Sequence, residues 1–261
     1  MDTSLRHSFA IQRRVIGALL MREVLTRFGR HNIGFLWLFV EPMMFTLGVA
    51  SLWSLTGFGH GHGISFAGFA LTGYSSVLLW RNNANRSMNA ISANLALMHH
   101  RNVRVIDIFI ARSILEIAGT TMSFVVLGSI FCALGIMEPP VQMLQVIMGW
   151  LILAWFGTAL SMVTGCMSER SHLLEKFWHP ASYLLFPLSG AAFMVEWLPP
   201  AMRSMVLWLP MVHGVEILRG GFFGPAVSTH FDFAYVLSAC LTLTLVGLAQ
   251  CRILGRQVAP E

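Results

Sequence analysis

Six apolar runs alternate with short polar segments along the chain, at 34–55, 65–80, 107–135, 144–167, 177–193 and 233–254. A bilayer core needs about 20 apolar helical residues to cross, and a chain in hydrocarbon must satisfy its own backbone polar groups. The pattern predicts an all-α polytopic membrane protein, a single domain over 1–261 with six transmembrane helices. The 107–135 run exceeds what a bilayer requires, and Arg112 and Glu116 stand one helical turn apart near its start. That spacing predicts a pair between them.

Two stretches depart from the alternation. In residues 1–33, Phe9, Ile11, Val15, Ile16, Leu19, Leu20 and Val24 recur at helical spacing among Arg6, Arg13, Arg14, Arg22, Arg27 and Arg30. This predicts an amphipathic helix lying in the interface, apolar face in lipid and arginines toward headgroups. No cleavable signal pattern is expected there. From Trp178 to Gly224, the apolar run is broken by Pro180, Pro187, Pro199, Pro200 and Pro210 and carries Glu196, Arg203, Glu216 and Arg219. A span over 177–193 followed by re-entrant half-helices over 194–224 on the outer side fits those breaks, since irregular backbone survives at membrane depth only under protein or water.

The polar segments Arg81–Arg104 and Ser168–Lys176, with Arg256, fall on the same side as the N-terminal arginines. The positive-inside rule then places both termini in the cytoplasm. Arg203 and Arg219 are the exceptions.

Composition narrows this further. The chain is 56% hydrophobic and 11% charged, with mean hydropathy +0.67, whereas soluble domains are about one quarter charged. The net charge of +5 sits between spans, so it marks orientation and not nucleic-acid binding. Lys176 is the only lysine among 17 basic residues; arginine's bidentate hold on phosphate and genomic base composition both account for that. Cys132, Cys166, Cys240 and Cys251 lack CxxC spacing and read as buried thiols. His60 and His62 in the loop Gly57–Gly63 do not make a metal site, and none is expected.

HExxH and GxSxG are absent, and Lys176 precedes Phe177, so GxxxxGK[ST] cannot occur. Any ATP hydrolysis is expected on another polypeptide, and no cofactor in this chain. Trp37, Trp53, Trp80, Trp178, Trp197 and Trp208 lie near span boundaries. They fit an interfacial aromatic belt, and equally a sugar path, in which pyranose faces stack on rings while Asn and Arg bind hydroxyls and acids. Polar groups on a span should face its bundle interior. The candidate conduit residues are therefore Trp37, Tyr74, Trp80, Arg81, Asn82, Asn85 and Arg86, with Ser75, Ser76 and Asn83 beside them.

Three segments together resemble the capsular polysaccharide permeases of the ABC-2 superfamily. They are Arg27–Pro42, with Gly29, Gly34, Trp37 and Glu41; Asn94–Glu116, with Asp107 and Arg112; and Pro210–Gly224, with Glu216 and Arg219. His99-His100-Arg101-Asn102 stands where those permeases carry a proline. The resemblance implies half of an exporter in the bacterial inner membrane. A second copy would complete the conduit, and two ATPase subunits would supply ATP and Mg. Asn94, His99, His100, Arg101 and Arg104 would form the segment coupled to the ATPase. Arg13, Arg14, Arg27 and Arg30 would attract lipid phosphate at the entrance. Glu196, Trp197, Arg203, Glu216 and Arg219 would form an outer gate, with Glu216 and Arg219 readable as a pair. A periplasmic co-polymerase or adaptor and an outer-membrane export protein would be further partners, and the substrate a lipid-linked capsular polysaccharide. Another lipid-linked glycopolymer, such as O-antigen or teichoic acid, is the alternative. A membrane-embedded lipid- or glycan-modifying enzyme would need clustered carboxylates or a His/Asp site.

Overall fold

A computed structural model describes residues 5–28, 32–56, 64–100 and 103–258. Among them every regular element is helical. Ten α-helices follow one another: α1 Leu5–Phe28, α2 Asn32–Thr56, α3 Phe66–Ser87, α4 Leu95–His100, α5 Val105–Ala133, α6 Met143–Arg170, α7 His172–Leu188, α8 Pro200–Val206, α9 Pro210–Phe223 and α10 Phe233–Val258. Short 3-10 turns occupy Ser92–Asn94, Val195–Trp197 and Gly224–Ala226. Val105–Ala133, Met143–Arg170 and Phe233–Gln257 are long and apolar enough to cross a membrane, while α2 carries a shorter apolar stretch, Phe39–Leu52.

α6 is the centre of the bundle, with α9, α3 and α10 packed along it. Glycine spacing explains how α9, α3 and α5 come so close to it. Gly149, Gly157 and Gly165 recur every eight residues, and an added Cβ would meet Leu218 N of α9 at 2.6 Å, Trp80 Cα of α3 at 3.0 Å and Phe109 of α5 at 2.3 Å respectively. Small residues let backbones approach where no hydrophobic effect drives helices together. The main core gathers Leu71, Val77, Leu79 and Trp80 of α3 with Leu153 and Phe156 of α6 and Val215, Ile217 and Leu218 of α9.

Prolines set several helix starts. Pro200 and Pro210 occupy the first turns of α8 and α9, where the missing N–H costs nothing and φ is already helical. α9 ends at Gly224, whose φ of +58° needs glycine. At 14 residues α9 is about 21 Å long, short of the ~30 Å core of a bilayer, yet Met211–Phe222 is buried throughout.

α3 continues past Trp80 to Ser87, with Asn83 buried and accepting a hydrogen bond of 2.9 Å from Ser113 Oγ, and α6 and α7 are separated by Ser171 alone. Two expectations change. First, part of α1's apolar face packs on protein and not on lipid. Val15, Ile16, Leu19 and Leu20 close on Val105, Ile108 and Phe109, since α5 begins where α1 passes; Phe9, Met21 and Leu25 remain exposed. Second, Arg112 and Glu116 each pair with α1 and not with one another. Arg112 Nε lies 3.2 Å from Glu23, and Glu116 is bound by Arg27.

Candidate functional site

Tyr74, Arg81 and Asn85 recur at seven and four residues, so they share one face of α3. α2 and α7 flank that face. The Tyr74 ring meets Phe186 edge-on at 5.7 Å and Phe45 at 6.5 Å. The Arg81 guanidinium stands 4.9 Å over the Tyr183 ring, a cation–π geometry. Trp178 Nε1 donates to Asn85 Oδ1 at 2.7 Å. Trp37, Phe45 and Tyr183 are each more than half exposed, and the buried Arg81 Nε has no partner within the protein. Aromatic faces beside an amide and a guanidinium can hold a hydroxylated, acidic chain: rings take its C–H faces, and the polar groups take its oxygens.

Trp80 leaves this face. It is fully buried and turned toward α6, edge-on to Phe156 at 6.3 Å, and with Trp178, Leu185 and Tyr235 it lines an apolar cavity of about 480 Å³. Helical phase explains the correction, since Trp80 and Asn83 fall on the stripe that faces α5 and α6. Asn82 is half-buried.

Arg86 closes the α3 face and opens a charged junction. Its guanidinium lies 3.8 Å from Glu41 of α2 and 3.9 Å from Glu116 of α5. Arg27 bonds Glu116, and its Nε donates to Glu23 at 2.9 Å. Arg112 Nη1 donates to the Arg86 carbonyl at 2.6 Å. Burial opposes the charge on Arg27, but Glu116 and Glu23 outweigh it and raise its pKa above the ordinary arginine value. Arg27 is thus held by carboxylates and not free for lipid phosphate, and Arg22 is similarly engaged by Asn94. Arg13 and Arg14 are exposed. Arg30 lies outside the described residues. Glu116→Ala is expected to leave Arg27 with Glu23 alone and to cost about 1–3 kcal/mol. Trypsin treatment of washed membranes should then cut within 5–28 faster than in wild type; unchanged cleavage would show that the pair does not dock α1.

In the segment expected to couple to a motor, Asn94 turns inward. It is buried, accepts from Arg22 and donates to the Ala90 carbonyl at 2.7 Å, so it shapes the segment and does not present a contact. Arg104 is exposed at the start of α5, and its backbone N–H donates to Asp107 at 3.1 Å. Arg101 and the side chains of His99 and His100 lie outside the described residues, as do His60 and His62.

At the other end, the loop between α7 and α8 wraps around α9. Arg219 is fully buried and donates to the carbonyls of Gly190 at 2.5 Å, Ala191 at 2.7 Å and Phe193 at 2.6 Å. It also lies 3.8 Å over the Phe69 ring. Glu216 accepts from the backbone N–H of Val195 at 3.2 Å and of His230 at 2.9 Å. The expected Glu216–Arg219 pair is instead two separate clamps on passing backbone, because that backbone offers the buried charges closer partners. Trp197 stacks on Phe69 at 5.2 Å.

Glu196 is exposed, bonded to His230 and 3.3 Å from Arg203, which also donates to the Glu196 carbonyl at 3.0 Å. Sequence reading missed His230: nothing in Ser228-Thr-His-Phe marks it, and only the folded loop brings it to Glu196. It also missed His213, whose Nδ1 accepts from the Asp232 backbone at 2.9 Å while Nε2 donates to the Leu207 carbonyl at 2.8 Å. The His230 hydrogen bond and then the Arg203 charge hold the Glu196 carboxyl below the ordinary glutamate value, against the effect of burial. A carboxyl lowered on folding contributes stability that is full above its unfolded pKa and lost as pH falls through the folded one. The advantage in thermal midpoint of wild type over Glu196→Gln should therefore shrink as pH falls below about 4.3. A difference independent of pH would contradict the clasp.

Among the described residues, no group of three or more His, Cys, Asp or Glu could hold a metal ion. Residues 14–223 match the ABC-2 type transporter family. The chain is 42% identical to the capsule polysaccharide export inner-membrane protein CtrC of Neisseria meningitidis serogroup B, over 99% of this chain and 98% of that protein. It is 38% identical to BexB of Haemophilus influenzae, which bears the same description, over 100% and 98%. It is 28% identical to the polysialic acid transport protein KpsM of Escherichia coli, over 95% and 96%. With a match across most of its length and such relatives end to end, the chain belongs to the ABC-2 type transporter family and to its capsule polysaccharide export branch.

Proposed function

We propose that this protein is the membrane permease of an ATP-driven exporter that carries lipid-linked capsular polysaccharide out of the cytoplasm across the bacterial inner membrane. The observation that carries the reading is the end-to-end match to capsule polysaccharide export inner-membrane proteins. The aromatic and polar face of Tyr74, Arg81 and Asn85 supports it chemically. In this reading α2, α3, α5, α6, α7 and α10 are six spans, α8 and α9 are re-entrant from the periplasmic side, and both termini are cytoplasmic. ATP is hydrolysed by two separate subunits docked near Asn94–Arg104. Two copies of this chain set their α3 faces around one conduit, with Trp37, Asn82, Asn85, Trp178 and Tyr183 contributing to its wall. A periplasmic adaptor and an outer-membrane export protein receive the chain.

ATP binding shifts the bundles only to the extent that the motor holds two states with different affinity. Arg81 offers its guanidinium to the acidic groups of the passing polymer, worth a charge-assisted hydrogen bond. In a strain lacking its own permease, this chain should restore surface capsule. Arg81→Ala should reduce surface polymer about tenfold at unchanged membrane level, with polymer retained inside. Wild-type protein that restores nothing would overturn the function, and a fully active Arg81→Ala would remove Arg81 from the conduit.

A further inference from the structure

We infer that Glu169 is the positioning residue that fixes the coupling segment to α6, the central helix of the bundle. The inference rests on Asn94–Arg104 being the element that meets the ATPase. Glu169 stands in the last turn of α6, where a carboxylate faces the negative end of the helix dipole. A residue placed against its local preference calls for a partner elsewhere, and the chain supplies one. Glu169 Oε1 accepts from the backbone N–H of Ile91 at 2.8 Å and of Ser92 at 3.1 Å. These amides open the helical run that continues through Ser92–Asn94 and α4, so the carboxylate caps it from outside. Next to it, the Asn89 N–H donates to Ser168 Oγ at 3.3 Å, and Asn89 takes a φ of +53° to turn the chain. Ala90 and Ile91 pack in a buried cluster with Met162 and Cys166 of α6. The start of the coupling segment is thereby bonded and packed to one end of α6, while Gly149 near the other end lies against α9. A push on the segment is delivered to a rod of 28 residues and on to α9.

The function of Glu169 is to accept two hydrogen bonds, which the amide oxygen of glutamine also does. In cells carrying the partner ATPase, Glu169→Ala should lower polysaccharide exported per ATP hydrolysed about tenfold or more, with the ATPase still bound and hydrolysing. Glu169→Gln should stay within about twofold of wild type. Amide exchange at Ile91 and Ser92 should be faster in Glu169→Ala than in wild type or Glu169→Gln. Unchanged export by Glu169→Ala, equal loss in both variants, or exchange at these amides that is the same in all three proteins would each overturn the inference. A wild-type protein without ATP-dependent export would instead sink the functional reading, and the exchange measurement would still decide whether Glu169 holds the segment. If Glu169→Ala fails to accumulate, the comparison of wild type with Glu169→Gln decides: slow exchange at both amides in both proteins supports the cap, and fast exchange in wild type refutes it.

Discussion

Replacing Arg219 with methionine is expected to cost on the order of 4 kcal/mol and to remove most folded protein from the membrane. Methionine keeps much of the length and apolar stem of arginine but none of its donors. The carbonyls of Gly190, Ala191 and Phe193 would lose the guanidinium that now bonds them, each at about 1–3 kcal/mol when buried. Glu216, enclosed nearby, would also lose a compensating charge. Arg219→Lys should recover only part of the loss, because an ammonium is a point donor and cannot span three carbonyls as the planar fork does. The check is the thermal midpoint in detergent together with the level in washed membranes. A methionine variant within about 1 kcal/mol of wild type would mean that the clamp does not hold the loop.

Gly149→Ala is the second large effect. The added methyl would sit 2.6 Å from Leu218 N and 2.8 Å from Leu218 Cα. These are backbone atoms of α9, so no side-chain rotation relieves the overlap and the helices must separate. Overpacking of this kind costs about 1–3 kcal/mol. Export should fall further than stability alone explains if α9 narrows the exit. Gly17→Ala is the matched control, since an added Cβ there meets nothing within 4 Å and removing a helical glycine gains up to about 1 kcal/mol. Thermal midpoints of the two variants should move in opposite directions; a shift of the same sign in both would refute the close contact.

How far the sequence can be read follows from where each partner lies. Helices stand at all six apolar runs because the requirement that backbone groups pair in hydrocarbon is written residue by residue. Arg219 announced itself as a charge in an apolar run, but its partners did not: the carbonyls of Gly190, Ala191 and Phe193 carry no sequence signature. Arg112 and Glu116 looked like a pair because they are one turn apart, yet α1, some 90 residues earlier in the chain, supplies nearer charges. Trp80 could not be told from its polar neighbours by composition, only by helical phase against α6. Glu169 lay in a polar run that reads as solvated, and only the fold sets it beneath Ile91 and Ser92.

ATP-driven export is tested most directly by reconstituting the purified protein with the ATPase that accompanies it and measuring polysaccharide movement across the vesicle wall. A Walker-motif ATPase is expected to co-purify in stoichiometric amount, and polymer to cross only when ATP is hydrolysed. A protein that purifies alone, or polymer that crosses equally without ATP, would contradict it.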